Sequence, residues 1–159
     1  MVQKNLVISY WECNCANELP ESEKKLLMEA VKAVDGSYAP YSNFNVGASV
    51  LLSNGEIVTG SNQENAASPS GLCAERVALF AAHHKFPQCT IEAIAIAAKT
   101  NGNLTKELVY PCAACVQVMV ESQSRSGKPI KVIVGSAGKI QVMDSINNLL
   151  PFSFNNLNG

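Results

Sequence analysis

The sequence predicts an α/β fold: a three-layer αβα sandwich with one mixed sheet of about five strands. Three observations carry this. Ile91 to Ala98 is an uninterrupted apolar run of strand length, as expected of a central strand covered on both faces. Segments of helical and strand character alternate along the chain, so helices must pack on both faces of one sheet. With 159 residues, 47% of them hydrophobic and only 16% charged, the chain can fill the core of a single domain.

Residues 6 to 13 carry Leu6, Val7, Ile8, Tyr10 and Trp11 without a helical period, which predicts a short strand on an N-terminal extension covering residues 1–19. Residues 20–159 form the single main domain. It opens on Pro20-Glu21-Ser22-Glu23, after which Leu26, Leu27, Ala30, Val31 and Val34 follow the 3.6-residue period to Gly36; the early acids and the terminal glycine complete a helix signature. Phe44 to Leu52 and Glu56 to Gly60 flank Ser53-Asn54-Gly55, a hairpin signal. A polar loop through Gly71 leads to a helix from about Cys73 to His84, whose narrow face of Val77, Ala78, Ala81 and Ala82 allows close packing.

After the central strand, Lys99 to Leu108 reads as a polar loop, and Pro111 opens the next helix. Lys131 to Gly135 and Lys139 to Met143 are strands. Asp144 is the expected N-cap of a last helix, Ser145 to Leu150, which Pro151 stops.

The net charge of -1 provides no field for steering toward a polyanion, so no nucleic-acid partner is expected. No segment approaches a membrane span and the start does not resemble a signal peptide, so no membrane partner and a cytoplasmic location are expected. In that reducing setting six cysteines read as metal ligands or core thiols.

Cys112 and Cys115, three apart, share one side of a first helical turn, where the macrodipole and unpaired N–H groups favour thiolates. Cys73, at another helix start, supplies a third thiolate and leaves a fourth metal position open. The cysteines alone also admit a closed structural zinc site (with Cys89, Cys13, Cys15, His83 or His84 as fourth ligand), a dithiol redox centre, or unliganded core thiols. Glu75 favours catalysis, because a structural site has no use for an acid two residues after a ligand. His83 and His84 read as surface residues, and Cys13-x-Cys15 as incidental or a second metal site.

Cys73-Ala74-Glu75-Arg76 with Pro111-Cys112-Ala113-Ala114-Cys115 resembles the zinc nucleoside and nucleobase deaminase signature. With Ala39-Pro40-Tyr41-Ser42-Asn43-Phe44-Asn45-Val46-Gly47-Ala48, Asn62-Gln63-Glu64-Asn65-Ala66 and Val116-Gln117, the chain is similar to the cytidine deaminase family, in order and spacing, from about residue 20 to about residue 154.

That resemblance implies deamination of cytidine and deoxycytidine to uridine and deoxyuridine. It implies one Zn2+ per subunit on Cys73, Cys112 and Cys115, with Glu75 carrying every proton. It also implies that Asn62 and Glu64 bond the ribose 3′-hydroxyl, Phe44 packs against the base, and Ala74 offers its backbone N–H to the pyrimidine. Arg76 would bond the ligand sulfurs with Gln117 holding it, and Phe154 would cover the base in a neighbour's pocket. A homotetramer acting on a small nucleoside in pyrimidine salvage follows.

The chain departs from the family pattern at Val116, Ser68 and Ala113, where Arg, Tyr and Gly are usual. The first two bear on the subunit contact. Two rival readings remain: a deaminase of another cytosine-bearing nucleoside, such as an aminoacyl-nucleoside antibiotic, and a non-catalytic zinc-stabilised module.

Overall fold

The computed structural model describes residues 1–155. Its elements are β1 (Trp11–Cys13), α1 (Glu21–Ala33), β2 (Phe44–Leu52), β3 (Ile57–Ser61), α2 (Ala74–Lys85), β4 (Ile91–Thr100), β5 (Asn103–Leu104), α3 (Ala113–Ser126), β6 (Lys131–Gly135) and β7 (Ile140–Met143). All seven strands join one sheet in the order β1-β7-β6-β4-β2-β3, with β5 folded back on β4. Only β4 and β6 pair in parallel; every other ladder is antiparallel. The α/β sandwich expected from the sequence is present.

The central strand sets the layers. Along β4, Ala93, Ala95 and Ala97 face α1, packing with Leu26, Leu27 and Ala30. Ile94 and Ile96 face the other way, into a larger core with Ala78 and Leu79 of α2 and Val116, Met119 and Val120 of α3. Alternating small and large residues on one strand thus gives the single helix a close seat and the helix pair a deep one.

Two glycines bring helix backbones against the sheet. A Cβ on Gly47 of β2 would lie 2.2 Å from the Ala30 carbonyl oxygen of α1, and one on Gly60 of β3 would lie 2.5 Å from the Ala78 nitrogen of α2. No side chain fits at either place without moving a helix.

Several local expectations change. The strand count exceeds the expected five: β5 forms within the segment read as loop, and the extension's strand, shorter than expected, pairs with β7 as the sheet's edge. The last helix is only a 3₁₀ turn, Ile146–Asn148, and Ser145 caps it by accepting from the Asn147 N–H. Asp144, the expected cap, instead accepts from the Trp11 indole N–H at 3.1 Å. His83 is half-buried, its Nε2 3.0 Å from the Ser122 hydroxyl on α3, so it joins α2 to α3 rather than standing on the surface.

Gly60→Ala should destabilise the protein by about 1–3 kcal/mol, the usual cost of overpacking, whereas Gly138→Ala, where an added Cβ meets nothing within 4 Å, should be neutral. Urea unfolding of the two variants checks this. Equal midpoints would contradict the close helix-to-sheet contact.

Candidate metal centre and active site

Because β3 and β4 each run antiparallel to β2, they point the same way. β3 leads into α2, and β4, after the short return of β5, into α3; both helices begin at one end of the sheet, and their first turns meet. Cys73 is the N-cap of α2 and Cys112 the N-cap of α3, both with extended backbone (ψ 154° and 161°) that turns their side chains off the helix ends. Glu75 and Cys115 sit in the first turns behind them. Residues two apart within a helix point to different sides, but Cys73 precedes the helix proper, so it and Glu75 can face one centre.

The three Sγ atoms lie within 4.8 Å of one another, with Cys73 to Cys112 at 4.0 Å and Cys112 to Cys115 at 3.5 Å. Tetrahedral zinc with Zn–S bonds of about 2.3 Å needs sulfurs about 3.8 Å apart, so the donor set fits zinc with little adjustment. Among the described residues this is the one group of His, Cys, Asp or Glu that could hold a metal. Cys13 and Cys15 do not form a second: Cys13 Sγ donates to the Cys15 carbonyl, and Cys15 Sγ to Glu18 Oε1.

Acidic groups are crowded together here. Glu75 is 4% exposed, and burial raises its pKa above the ordinary carboxyl value; its own backbone N–H, the Cys115 thiol and the Arg76 charge pull the other way and lose. A helix N-terminus is worth about 0.3–1 kcal/mol to an anion, too little to offset burial. Burial and the Glu75 charge also drive the Cys115 thiol up. Cys112 titrates low despite burial, because the Cys115 and Ala114 N–H groups and the neighbouring thiols donate to it. A cation is what such a cluster lacks. Arg76 supplies part of that charge, with Nη2 3.8 Å from Cys73 Sγ; hydrogen bonding to Cys73 holds its pKa above the ordinary value.

A cleft of ≈ 430 Å³ opens above Cys73 and Arg76, walled by Tyr41, Asn62, Gln63, Glu64, Asn65, Ala66, Ser68, Gly71 and Leu72. Its walls are tied by backbone bonds, from Glu64 N–H to the Tyr38 carbonyl and between Gln63 and Leu72 in both directions. Asn62 Oδ1 accepts from the Val46 N–H at 2.8 Å and its Nδ2 donates to the Phe44 carbonyl at 2.9 Å. The Glu64 carboxylate accepts from Tyr41 N–H, Ser42 N–H and the Ser42 hydroxyl. These bonds, the Ser42 hydroxyl first, hold its pKa below the ordinary value.

Of the other residues singled out in the sequence, Ala74 is fully buried as the first residue of α2. Phe44 is half-buried at the start of β2 and belongs to neither core cluster. Gln117, expected beside Arg76, instead donates from Nε2 to the Phe154 carbonyl at 2.5 Å. Phe154 is 67% exposed, not packed in its own core. Sequence reasoning missed Tyr41 and Leu72 as cleft walls. Tyr41 lay within a motif already noted; Leu72, beside Cys73, gave no signal beyond its position.

A family model described as "Cytidine and deoxycytidylate deaminase zinc-binding region" matches residues 20–128. A cytidine deaminase of Halalkalibacterium halodurans is 41% identical over 130 residues, 81% of this chain and 91% of that one. Among solved structures, the cytidine deaminase of Burkholderia pseudomallei superposes with a TM-score of 0.67 at 35% identity, over 82% of this chain and 97% of that one. That of Mycobacterium tuberculosis gives 0.66 at 30%, over 83% and 96%. The matched region and the three-thiol cluster fit one zinc ion per chain.

Metal analysis of purified protein should give one zinc per chain, with X-ray absorption showing three sulfur ligands and one light atom. Cys112→Ser should lower both zinc content and activity, while Cys13→Ser and Cys15→Ser change neither. Four protein ligands would contradict the open position.

Proposed function

This chain belongs to the cytidine and deoxycytidylate deaminase family, and on that premise we infer that it hydrolyses cytidine and deoxycytidine to uridine and deoxyuridine, releasing ammonia. The observation that carries the reading is the buried Glu75 carboxyl set against three thiols at two converging helix starts.

Cys73, Cys112 and Cys115 would hold the zinc, which when bound supplies the Lewis acidity that makes water nucleophilic near pH 7. Glu75 does the proton work. Its carboxylate takes a proton from the attacking water and delivers it to the pyrimidine N3 as the new C–O bond forms at C4. It then carries the remaining hydroxyl proton to the amino group, which leaves as ammonia when the C–N bond breaks and the C4 carbonyl forms. A pKa raised by burial suits a group that must both accept and donate. Arg76, turned toward the Cys73 sulfur, offsets the charge of three thiolates. The Ala74 N–H, among the first-turn donors with no partner inside a helix, would orient the base.

Asn62 and Glu64 would bind the ribose 3′-hydroxyl, with Phe44 against the base. The cleft favours a nucleoside over a nucleotide: among the described residues that line it Arg76 is the one cation, directed at a sulfur, and Glu64 would repel a nearby phosphate. The exposed Phe154 ring, its carbonyl fixed to α3 through Gln117, supports a homotetramer in which it covers the base in a neighbouring pocket. Stacking of this kind contributes about 1–3 kcal/mol per base elsewhere. No helix among the described residues is long and apolar enough to cross a membrane. A cytoplasmic role in pyrimidine salvage is part of the same proposal.

Ammonia release should be fast with cytidine and deoxycytidine and slow with cytosine, adenosine and dCMP. Turnover of dCMP in preference to cytidine would overturn the substrate assignment. Glu75→Gln should retain zinc and fold, yet lose roughly 10²–10⁴-fold or more in kcat; near-normal turnover would refute its role.

A further inference from the structure

Glu64 is a side chain at the surface of a loop, yet it is not free to choose its direction. One oxygen, Oε2, accepts from the Tyr41 N–H at 2.9 Å and the Ser42 N–H at 3.3 Å, and the other, Oε1, accepts from the Ser42 hydroxyl at 2.5 Å. The same Ser42 oxygen accepts from the Phe44 N–H at 3.1 Å. A serine hydroxyl has a single proton, here committed to Glu64, and its lone pairs hold the start of β2. An ionised carboxylate offers about four acceptor directions; with three filled from the 41–42 segment, one remains. Asn62 reinforces the arrangement from the other side, its amide tied to the Phe44 carbonyl and the Val46 N–H.

Glu64 lines the cleft and Ser42 does not, so Ser42 can affect a ligand there only through its neighbours. The geometry points to Ser42 as a positioning residue, whose hydroxyl locks the Glu64 carboxylate in register with Phe44 and leaves one acceptor direction for a hydroxyl donor of the bound nucleoside. This rests on the reading of Glu64 as the contact for the sugar's 3′-hydroxyl. Without the hydroxyl the carboxylate keeps its charge and its backbone donors but can rotate. The missing constraint must then be supplied on binding, which costs affinity rather than chemistry. Glu75 and the three thiols lie on other elements and are untouched.

The zinc-loaded enzymes to compare are wild type, Ser42→Ala, Ser42→Thr, Glu64→Ala and the double variant Ser42→Ala/Glu64→Ala, each checked for an unchanged unfolding midpoint. Ser42→Ala should raise KM for cytidine roughly tenfold, as expected for loss of a charge-assisted hydrogen bond. Its kcat should stay within about twofold, and so should the inhibition constant of free cytosine, which has no sugar. Ser42→Thr, which restores a hydroxyl, should recover most of the loss. In the Glu64→Ala background, Ser42→Ala should add nothing, because two residues acting as one unit are not additive. Additive losses, an equal loss on cytosine, a fall in kcat alone, or a threonine variant no better than alanine would each overturn the assignment. A raised KM in Glu64→Ala with normal Ser42→Ala kinetics would overturn it while leaving the Glu64 reading intact. An unchanged KM in Glu64→Ala would remove both.

Discussion

The direction of two strands governs this molecule. β3 and β4 flank β2 and each is antiparallel to it, so both deliver the chain to the same end of the sheet. The next helix after each, α2 after β3 and α3 after β4 and the short β5, packs on the same face, which places two helix N-termini side by side. Unpaired N–H groups and the positive ends of two macrodipoles then point into one volume. Three thiols and a carboxyl gathered there would be an unfavourable cluster in any other part of the fold. Here they are met by backbone donors, by Arg76 and by the charge of a metal.

The packing is subordinate to that arrangement. Gly60 lets α2 lie against β3 closely enough that an added methyl would strike its backbone, and Gly47 does the same for α1 on β2. On α3, the residue after Cys115 is Val116, 4% exposed within the larger core. Where the cytidine deaminase pattern usually has arginine, this chain therefore has an apolar anchor that fixes the ligand-bearing turn by burial. Arg76 remains the cation beside the sulfurs, with its Nε buried and without a hydrogen-bond partner among the described residues.

The parts of the fold visible in the sequence were those written in local pattern. The apolar run of β4, the Asn54-Gly55 turn, the period of α1 and the two cysteine-bearing helix starts all follow from residues near one another, and each lies where expected within one or two residues. What escaped is held by distant partners. The short strand on the extension is where the sequence puts it, but its restriction to Trp11–Cys13 is set by β7, which offers it an edge more than 120 residues later. The last helix fails because Asp144 is drawn to Trp11 and Ser145 caps a single turn before Pro151. The pairing of Gln117 with the Phe154 carbonyl and of His83 with Ser122 has no local signature. The metal centre was legible because its ligands carry their own spacing, whereas the hydrogen bonds of Asn62 and Glu64 run to a different segment.

The site divides into two kinds of construction. Cys73, Glu75, Cys112 and Cys115 stand at the starts of two helices packed on the sheet, with Glu75 and Cys115 buried and Cys73 and Cys112 capping the ends, so that packing of the helices holds the group in place. Asn62 and Glu64 stand on a loop whose geometry is set by side-chain bonds to the backbone of residues 41–46. Those bonds are few and individually modest, each worth about 0.5–3 kcal/mol, so the loop can be retuned by one or two substitutions without disturbing the helix starts. On the roles proposed for these residues, recognition of the sugar and chemistry on the base would be mechanically separable. A change in which cytosine-bearing molecule is accepted would be expected in the 41–46 and 62–72 segments, while the two cysteine turns stay as they are.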